Sequence, residues 1–402
     1  MNWVDILDTS WLRFEGDFDT QVQEVLRYVR LTPDRVYGLK HLFDDIEEAF
    51  QHIAPGCQVM PFGSVVTGLG IKTSDADVFV ALPDGHQPSV SHVVHAKNIL
   101  YRYHRKFTQL FAITKAKVPI VKFFHVPTQF HCDVNFKSPA GVYNSKLLAF
   151  LLHMDERVLP LTILIKYWSK IHKFTGTNLL GNYALTMMVV FYLQLMNILP
   201  SVYELQRHIP PYYVDGWNTA FDDTMHSTTR NTDSLYQLMG GFFKCYSVFN
   251  FKDNIISPFL GRVISKKCMD SCDLPEEFSL YMDHVARDVR KRFKTTSKIC
   301  IQDPFDHSRN CSVAVSERLA DRIFAHIRFA TNKFELNHSE RFLKAILTQD
   351  PNSAHASAAP VPNKHVSNNK IQKQNRKKQK KVLQNGVKNL FNQYQNLAKG
   401  KR

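Results

Sequence analysis

Three carboxylates and one glycine-serine turn are the residues in this 402-residue chain whose types and spacing point to chemistry. Phe62-Gly63-Ser64 is followed, after ten residues, by Asp75-Ala76-Asp77 at the mouth of an apolar run. Asp133 lies in a second apolar segment, Phe130-His131-Cys132-Asp133-Val134-Asn135-Phe136. Asp75 and Asp77 flank a single residue, so at the two-residue period of a strand they project to one face. Two such side chains can share a pair of Mg²⁺ or Mn²⁺ ions, and Asp133 completes the cage if its strand is a neighbour in the same sheet. Two metals about 3.5–4 Å apart acidify an attacking hydroxyl and neutralise a leaving pyrophosphate. Gly63 lets a backbone approach closely, and Ser64 with nearby amides can donate to a phosphate oxygen. The chemistry implied is nucleotidyl transfer from a nucleoside triphosphate.

An Asp-x-Asp is also common in turns, and Thr73-Ser74-Asp75 carries turn chemistry. The run Val78-Phe79-Val80-Ala81-Leu82 argues for more, because carboxylates at the mouth of a buried strand are costly unless paired or metal-bound. Asp133 repeats the anomaly.

The elements that must position these groups follow from pattern. Helices are predicted at 19–30 and 33–56. The second has Thr32 as cap, Pro33 in its first turn and a stripe of Val36, Leu39, Phe43, Ile46, Phe50 and Ile53. Strands are predicted at 58–62, 77–82, 118–125 and 129–136, with a helix at 89–107, which makes a small mixed α/β sheet. From Asn144 onward the pattern is helical and a second lobe begins. Lys166, Lys170 and Lys173 recur on one helical face, with Ile163, Leu164, Tyr167 and Ile171 on the other, so the lysines form either a solvated face or a phosphate-binding stripe. Residues 184–199 are apolar but include Thr186, Gln194 and Asn197, which suits a core helix rather than a membrane span.

Gly-Ser, ten residues, Asp-Ala-Asp and a later strand-borne Asp resemble the polymerase-beta-type nucleotidyltransferases. Asn144-Ser145, Lys166-Tyr167-Trp168-Ser169-Lys170, Asn182-Tyr183-Ala184-Leu185-Thr186 and Asp303-Pro304-Phe305-Asp306 narrow the resemblance to terminal uridylyltransferases and noncanonical poly(A) polymerases. The likeness covers about residues 40 to 330 and is greatest for the branch that includes the speckle-targeted and mitochondrial enzymes. It implies an α+β architecture: a polymerase-beta-like mixed-sheet domain at 33–140, a helical central and PAP-associated domain at 141–345, and an N-terminal helical segment, 1–32, packed on the second lobe. It also implies template-independent addition to an RNA 3′ end, with Asp75 and Asp77 on both metals and Asp133 on the metal that activates the hydroxyl. Gly63, Ser64, Asn144, Ser145, Lys166, Lys170, Asn182 and Tyr183 are the implied nucleotide contacts, Tyr183 either stacking on the base or lying in the core. Asn182 stands where some relatives have a serine. Arg309, in His307-Ser308-Arg309-Asn310, takes the place of a histidine that reads the uracil edge, with His307 two residues earlier; UTP is the expected substrate, followed by ATP.

Charge is uneven. Residues 351–402 hold twelve Lys/Arg and no Asp/Glu out of a net +15, so the tail is a polycation on a nearly neutral body. Its composition predicts disorder over 346–402, and Asn375-Arg376-Lys377-Lys378-Gln379-Lys380-Lys381 suits a nuclear address or an RNA contact. Leu383, Val387, Leu390, Phe391, Tyr394 and Leu397 could form a helix for a protein partner. Seven cysteines without paired zinc spacing suggest reduced thiols in nucleus or cytoplasm, and the N-terminus lacks the pattern of a signal or transit peptide. No membrane association is expected. Two other classes stay open: a catalytically retired RNA-binding scaffold, and a small-molecule nucleotidyltransferase, which would have no use for the basic tail.

Overall fold

The computed structural model describes residues 6–83 and 87–351. The Asp17 carboxylate accepts the Thr20 amide and starts α1 (Phe18–Val29), whose buried stripe includes Phe18, Val22, Val25 and Leu26. Thr32 caps α2 (Pro33–Phe50) in the same way, with Pro33 at the first helical position. α2 stops at Phe50 rather than 56, and Val36 is exposed while Leu42 is fully buried, so the stripe facing the core is Leu39, Leu42, Ile46 and Phe50.

A five-stranded sheet follows. Its members are β1 (Gln58–Phe62), β2 (Ala76–Ala81), β3 (Phe107–Ile113), β4 (Ile120–His125) and β5 (Phe130–Asn135), with α3 (Val90–Arg102) between β2 and β3. The spatial order is β1-β2-β5-β4-β3. β2 and β5 run parallel and the other pairs antiparallel. Strand β3 corrects the sequence reading, which ran a helix to 107 and placed no strand between there and 118. Its period-two signal is blurred because Phe111 and Ile113 occupy exposed positions, and a bulge with Gln109 at φ 53° breaks the alternation.

One sheet face, with Val78, Val80, Val121, Phe123, Cys132 and Val134, packs into a core with α2 and α3. The other face carries the chemistry. Across it, Phe62, Asp77, Asp133, Lys122 and Phe111 form one row of register partners over β1, β2, β5, β4 and β3. Partners directly opposite one another share a face, so all five side chains do.

A second core joins α1 to α4 (Ala140–His153), α5 (Val158–Ile171), α6 (Asn182–Leu195), α7 (Val202–Gln206), α8 (Leu235–Val248), α9 (Lys266–Ser271), α10 (Ser279–Ala286), α11 (Glu317–Glu335) and α12 (Ser339–Thr348). The Gln21 amide donates to Glu340 O at 2.8 Å, tying α1 to α12. Helix α6 is buried continuously from Ala184 to Gln194, as a core helix should be. Among the described residues no helix is long and apolar enough to cross a membrane. All seven cysteines are free. The segment between β1 and β2 belongs to both cores, since Val65 packs on the sheet core while Leu69 and Ile71 are buried in the helical one. The expectations for residues 352–402, including the Leu383–Leu397 pattern and the Lys/Arg run, fall outside the described residues.

Candidate active site

Gly63 ends β1 with φ 80°, and a Cβ at this position would overlap Asp77 Oδ2, so the turn has room for no side chain. The amides of Val66 and Thr67 both donate to Gly63 O, folding the chain back immediately after Ser64. From α4, Ser145 Oγ accepts the Gly63 amide at 2.8 Å and donates to Gly141 O at 2.7 Å. Ser145 therefore lines the cleft, but its hydroxyl is committed to holding the turn.

Asp75 immediately precedes β2, Asp77 lies on it, and Asp133 sits in register with Asp77 on β5. The condition that the two strands be neighbours is met. Burial first, then the charges of Asp133 and Asp75, pushes the Asp77 carboxyl up to about 7. Burial also raises Asp133, against the pull of Lys122. Lys122 Nζ sits 2.9 Å from Asp133 Oδ2. Burial works against the Lys122 charge, but the bond to Asp133 outweighs it and its pKa rises. Lys122 was not singled out in the sequence, although a lysine inside Ile120-Val121-Lys122-Phe123 is the same anomaly that flagged Asp77.

The cleft between sheet and helices has a volume of about 420 Å³, within the range of small-ligand sites. Gly63, Ser64, Asp75 and Asp77 line one wall; Asn144, Ser145, Lys166, Lys170, Asn182, Tyr183 and Arg309 line the other. Asp133 lies outside this lining. Lys166 is buried, and its Nζ donates to Leu69 O at 2.7 Å. Burial and the nearby Lys170 charge lower it to about 7, while Asp77 opposes the shift. Burial lowers Lys170 as well. Lys173 lies past the end of α5 in left-handed backbone and outside the cleft, so the basic stripe has two members at the site, not three.

Asn182, Tyr183 and Thr186 bring the N-terminus of α6 to the cleft, and the cap residue Gly181 makes no side-chain bond. First-turn amides at such an end suit an anion. Arg309 holds its guanidinium 5.9 Å from the Tyr183 ring centroid, and its Nη1 is 3.4 Å from Asp303 Oδ2. Asp303 is buried and its Oδ1 accepts the amides of Phe305 and Asp306. His307 is elsewhere: it is packed among Phe259, Phe278 and Trp217, and burial pushes it down to about 3. Asn310 is spent on Ile301, Lys294 and Ser312. The sequence reading missed Thr67, Leu69, Thr73 and Ser74 as lining residues. Ser74 does the turn work its neighbours implied, its Oγ accepting the Ile71 amide at 3.0 Å.

The residues fit a divalent cation by donor chemistry. Hard carboxylate oxygens suit Mg²⁺ or Mn²⁺, the charges of Asp133 and Asp75 are close enough to raise Asp77, and Asp133 Oδ1 is buried with no hydrogen-bond partner. As the side chains stand, no group of three Asp, Glu, His or Cys among the described residues forms a ready cage, Asp133 Oδ2 being taken by Lys122.

Comparison with known proteins bears on the family and the fold. Residues 18–152 match the family described as "Poly(A) RNA polymerase, mitochondrial-like, central palm domain", and residues 234–309 match "Cid1 family poly A polymerase". Terminal uridylyltransferase 7 of Homo sapiens is 28% identical over 302 residues, which is 71% of this chain and 19% of that protein. The speckle-targeted poly(A) polymerase of Bos taurus is 29% identical over 62% of this chain and 28% of its own length. The mitochondrial poly(A) RNA polymerase of Drosophila melanogaster is 28% identical over 63% of this chain and 48% of its own. The chain thus spans from about a fifth to about half of these relatives. Among solved structures, mtPAP in complex with UTP superposes with a TM-score of 0.71 at 21% identity, covering 86% of this chain and 75% of that one. Cid1 poly(U) polymerase with Mg 3′-dATP gives 0.68 at 22%, covering 83% and 98%. The two matched segments, on this fold, place the chain in the family of terminal uridylyltransferases and noncanonical poly(A) polymerases, which are nucleotidyltransferases.

Proposed function

We propose that this protein is a template-independent RNA 3′-terminal nucleotidyltransferase that adds uridylates from UTP. The observation that carries the reading is the placement of Asp75 and Asp77 in the wall of a nucleotide-sized cleft also lined by Ser64, Lys166 and Lys170, with Asp133 in register with Asp77 on the next strand. Ser64 and the amides after Gly63 would donate to the triphosphate, and Lys166 and Lys170 would balance its charge from the helical side. Tyr183 would stack on the base and Arg309 would sit over it, and Asn144 would reach the ribose and base. Asp75, Asp77 and Asp133 would hold Mg²⁺ or Mn²⁺, which would supply acidification of the attacking hydroxyl and neutralisation of the leaving pyrophosphate. The side chains then act mostly by placement and electrostatics rather than proton transfer.

ATP is the second reading, because Arg309 replaces the histidine that the resemblance assigns to the uracil edge. Extending one short single-stranded RNA with each of the four nucleoside triphosphates separately tests both. UTP should be incorporated fastest; preferential ATP use would favour poly(A) synthesis, and no incorporation of any nucleotide would leave the RNA-binding scaffold.

A further inference from the structure

The nucleotide cleft ends at Asp77, yet the face that carries Asp77 continues. Asp133 is one strand beyond it, outside the cleft, and past Asp133 the sheet runs on to its edge at β3 with Lys122 and Phe111 in the same row. One pleat along, Phe124 and His131 are register partners with ring centroids 4.9 Å apart. Phe111 is 64% exposed and Ile113 40%. The opposite face is already covered by α2 and α3, so this apolar strip is not an unfinished core.

Its charge setting is as unusual as its exposure. Residues 87–137 contain eight Lys/Arg and one acid, Asp133 itself. Of these cations Lys97 and Arg102 belong to α3 on the covered face, Lys106 is paired with Asp45 and Glu48, and Lys122 with Asp133. Lys115 and Lys117 after β3 and Lys137 after β5 remain beside the strip, the Lys137 Nζ donating to Lys117 O at 2.9 Å. Exposed rings on a sheet among cations are what a single RNA strand uses: bases stack on the rings and phosphates meet the positive charges.

The geometry points to the outer face of β3, β4 and β5 as the seat of the RNA 3′ end, with Phe111 stacking on a base next to the reacting terminus. This rests on the proposed function. If the triphosphate fills the cleft on one side of Asp77, in-line attack brings the RNA hydroxyl from the far side, which is the side of Asp133. Phe111 stands two strand spacings, about 10 Å, from Asp133, within reach of a base one or two positions from the attacking hydroxyl. Lys115 and Lys117, directly after β3, extend the positive surface away from the site.

The test uses the full chain and a short single-stranded RNA with 2-aminopurine at its penultimate position, comparing wild type with Phe111→Ala and Phe111→Trp. Loss of one stacked base should weaken RNA binding roughly five- to hundredfold in Phe111→Ala. It should also abolish quenching of the 2-aminopurine and raise the KM for RNA while leaving the KM for the nucleotide unchanged. Phe111→Trp should restore both affinity and quenching. Equal affinity and equal quenching in wild type and Phe111→Ala would overturn the assignment. A protein that adds no nucleotide yet binds RNA in a Phe111-dependent way would refute the proposed function and leave the platform standing; one that extends RNA equally well without Phe111 would do the reverse.

Discussion

Asp77 is the residue at which the conflict between stability and function is sharpest. Its carboxyl is raised to about 7 by burial and by Asp133 and Asp75, whereas in an unfolded chain it would ionise near 4. A raised acid makes the folded state the stronger proton binder, so its ionisation destabilises the fold increasingly from about pH 4 up to about 7, by on the order of a few kcal/mol. Without divalent ions, Asp77→Asn should therefore raise the Tm at pH 8, with the gain shrinking as the pH is lowered towards 4. The same variant should lose nearly all nucleotide addition. A Tm that falls at pH 8, or an activity above a few per cent of wild type, would contradict the assignment. Arg309 makes a prediction about choice rather than rate. Placing a histidine at that position should sharpen the preference for UTP over ATP, because a site that hydrogen-bonds a base edge discriminates more strongly than one that stacks it. An unchanged ratio of kcat/KM values for the two nucleotides would put Arg309 away from the base.

Among elements, the contact between α4 and the end of β1 governs the site most directly. Ser145 is the only side chain on α4 with a hydrogen bond to the Gly63 amide among the described residues, and removing it leaves that part-buried donor unpaired. Ser145→Ala should cost about 1–2 kcal/mol and raise the nucleotide KM, while Ser145→Thr, which keeps the hydroxyl, should retain most of both; calorimetry and initial rates would show it. The sequence made this element pattern readable where periodicity and caps agree. The Thr32-Pro33 start of α2, the bounds of β1 and the buried run of α6 are in that class. It failed where a functional demand overrides the pattern. Strand β3 was lost because its outward side is apolar, and an outward apolar side is what the RNA platform requires. At the site, Asp75, Asp77, Gly63 and Ser64, which line the cleft, stood out because a carboxylate within an apolar strand pattern beside a glycine turn has no structural purpose. The commitment of Ser145 to the backbone, the burial of His307 among aromatic rings and the pairing of Lys122 with Asp133 depend on contacts between segments far apart in the chain. No local pattern encodes those contacts.

For the whole molecule, nearly all of the excess positive charge lies in the tail. If residues 352–402 track RNA phosphates, deleting them should raise the KM for long RNA and flatten its salt dependence. Each single-strand phosphate contact contributes about −0.7 to the slope of log K against log salt, so losing about five changes it by roughly 3 to 4. Turnover on a saturating short oligonucleotide should persist, since the cleft and the β3 face lie elsewhere in the chain. An unchanged slope would assign the run to cellular addressing instead, and mislocalisation of the truncated protein would be the effect to measure.

The ten residues between Ser64 and Asp75 act mechanically as a linkage. Val65 is seated in one lobe and Leu69 and Ile71 in the other, Lys72 N donates to Val29 O, and Lys166 grips Leu69 O. The two ends of this linkage are the turn proposed to bind phosphate and the first of the carboxylates proposed to bind metal. The lobes therefore cannot separate like a clamshell without dragging the catalytic groups apart. Opening to admit a nucleotide is restricted to small sliding of packed surfaces, and a nucleotide that immobilises Ser64 stiffens both cores at once.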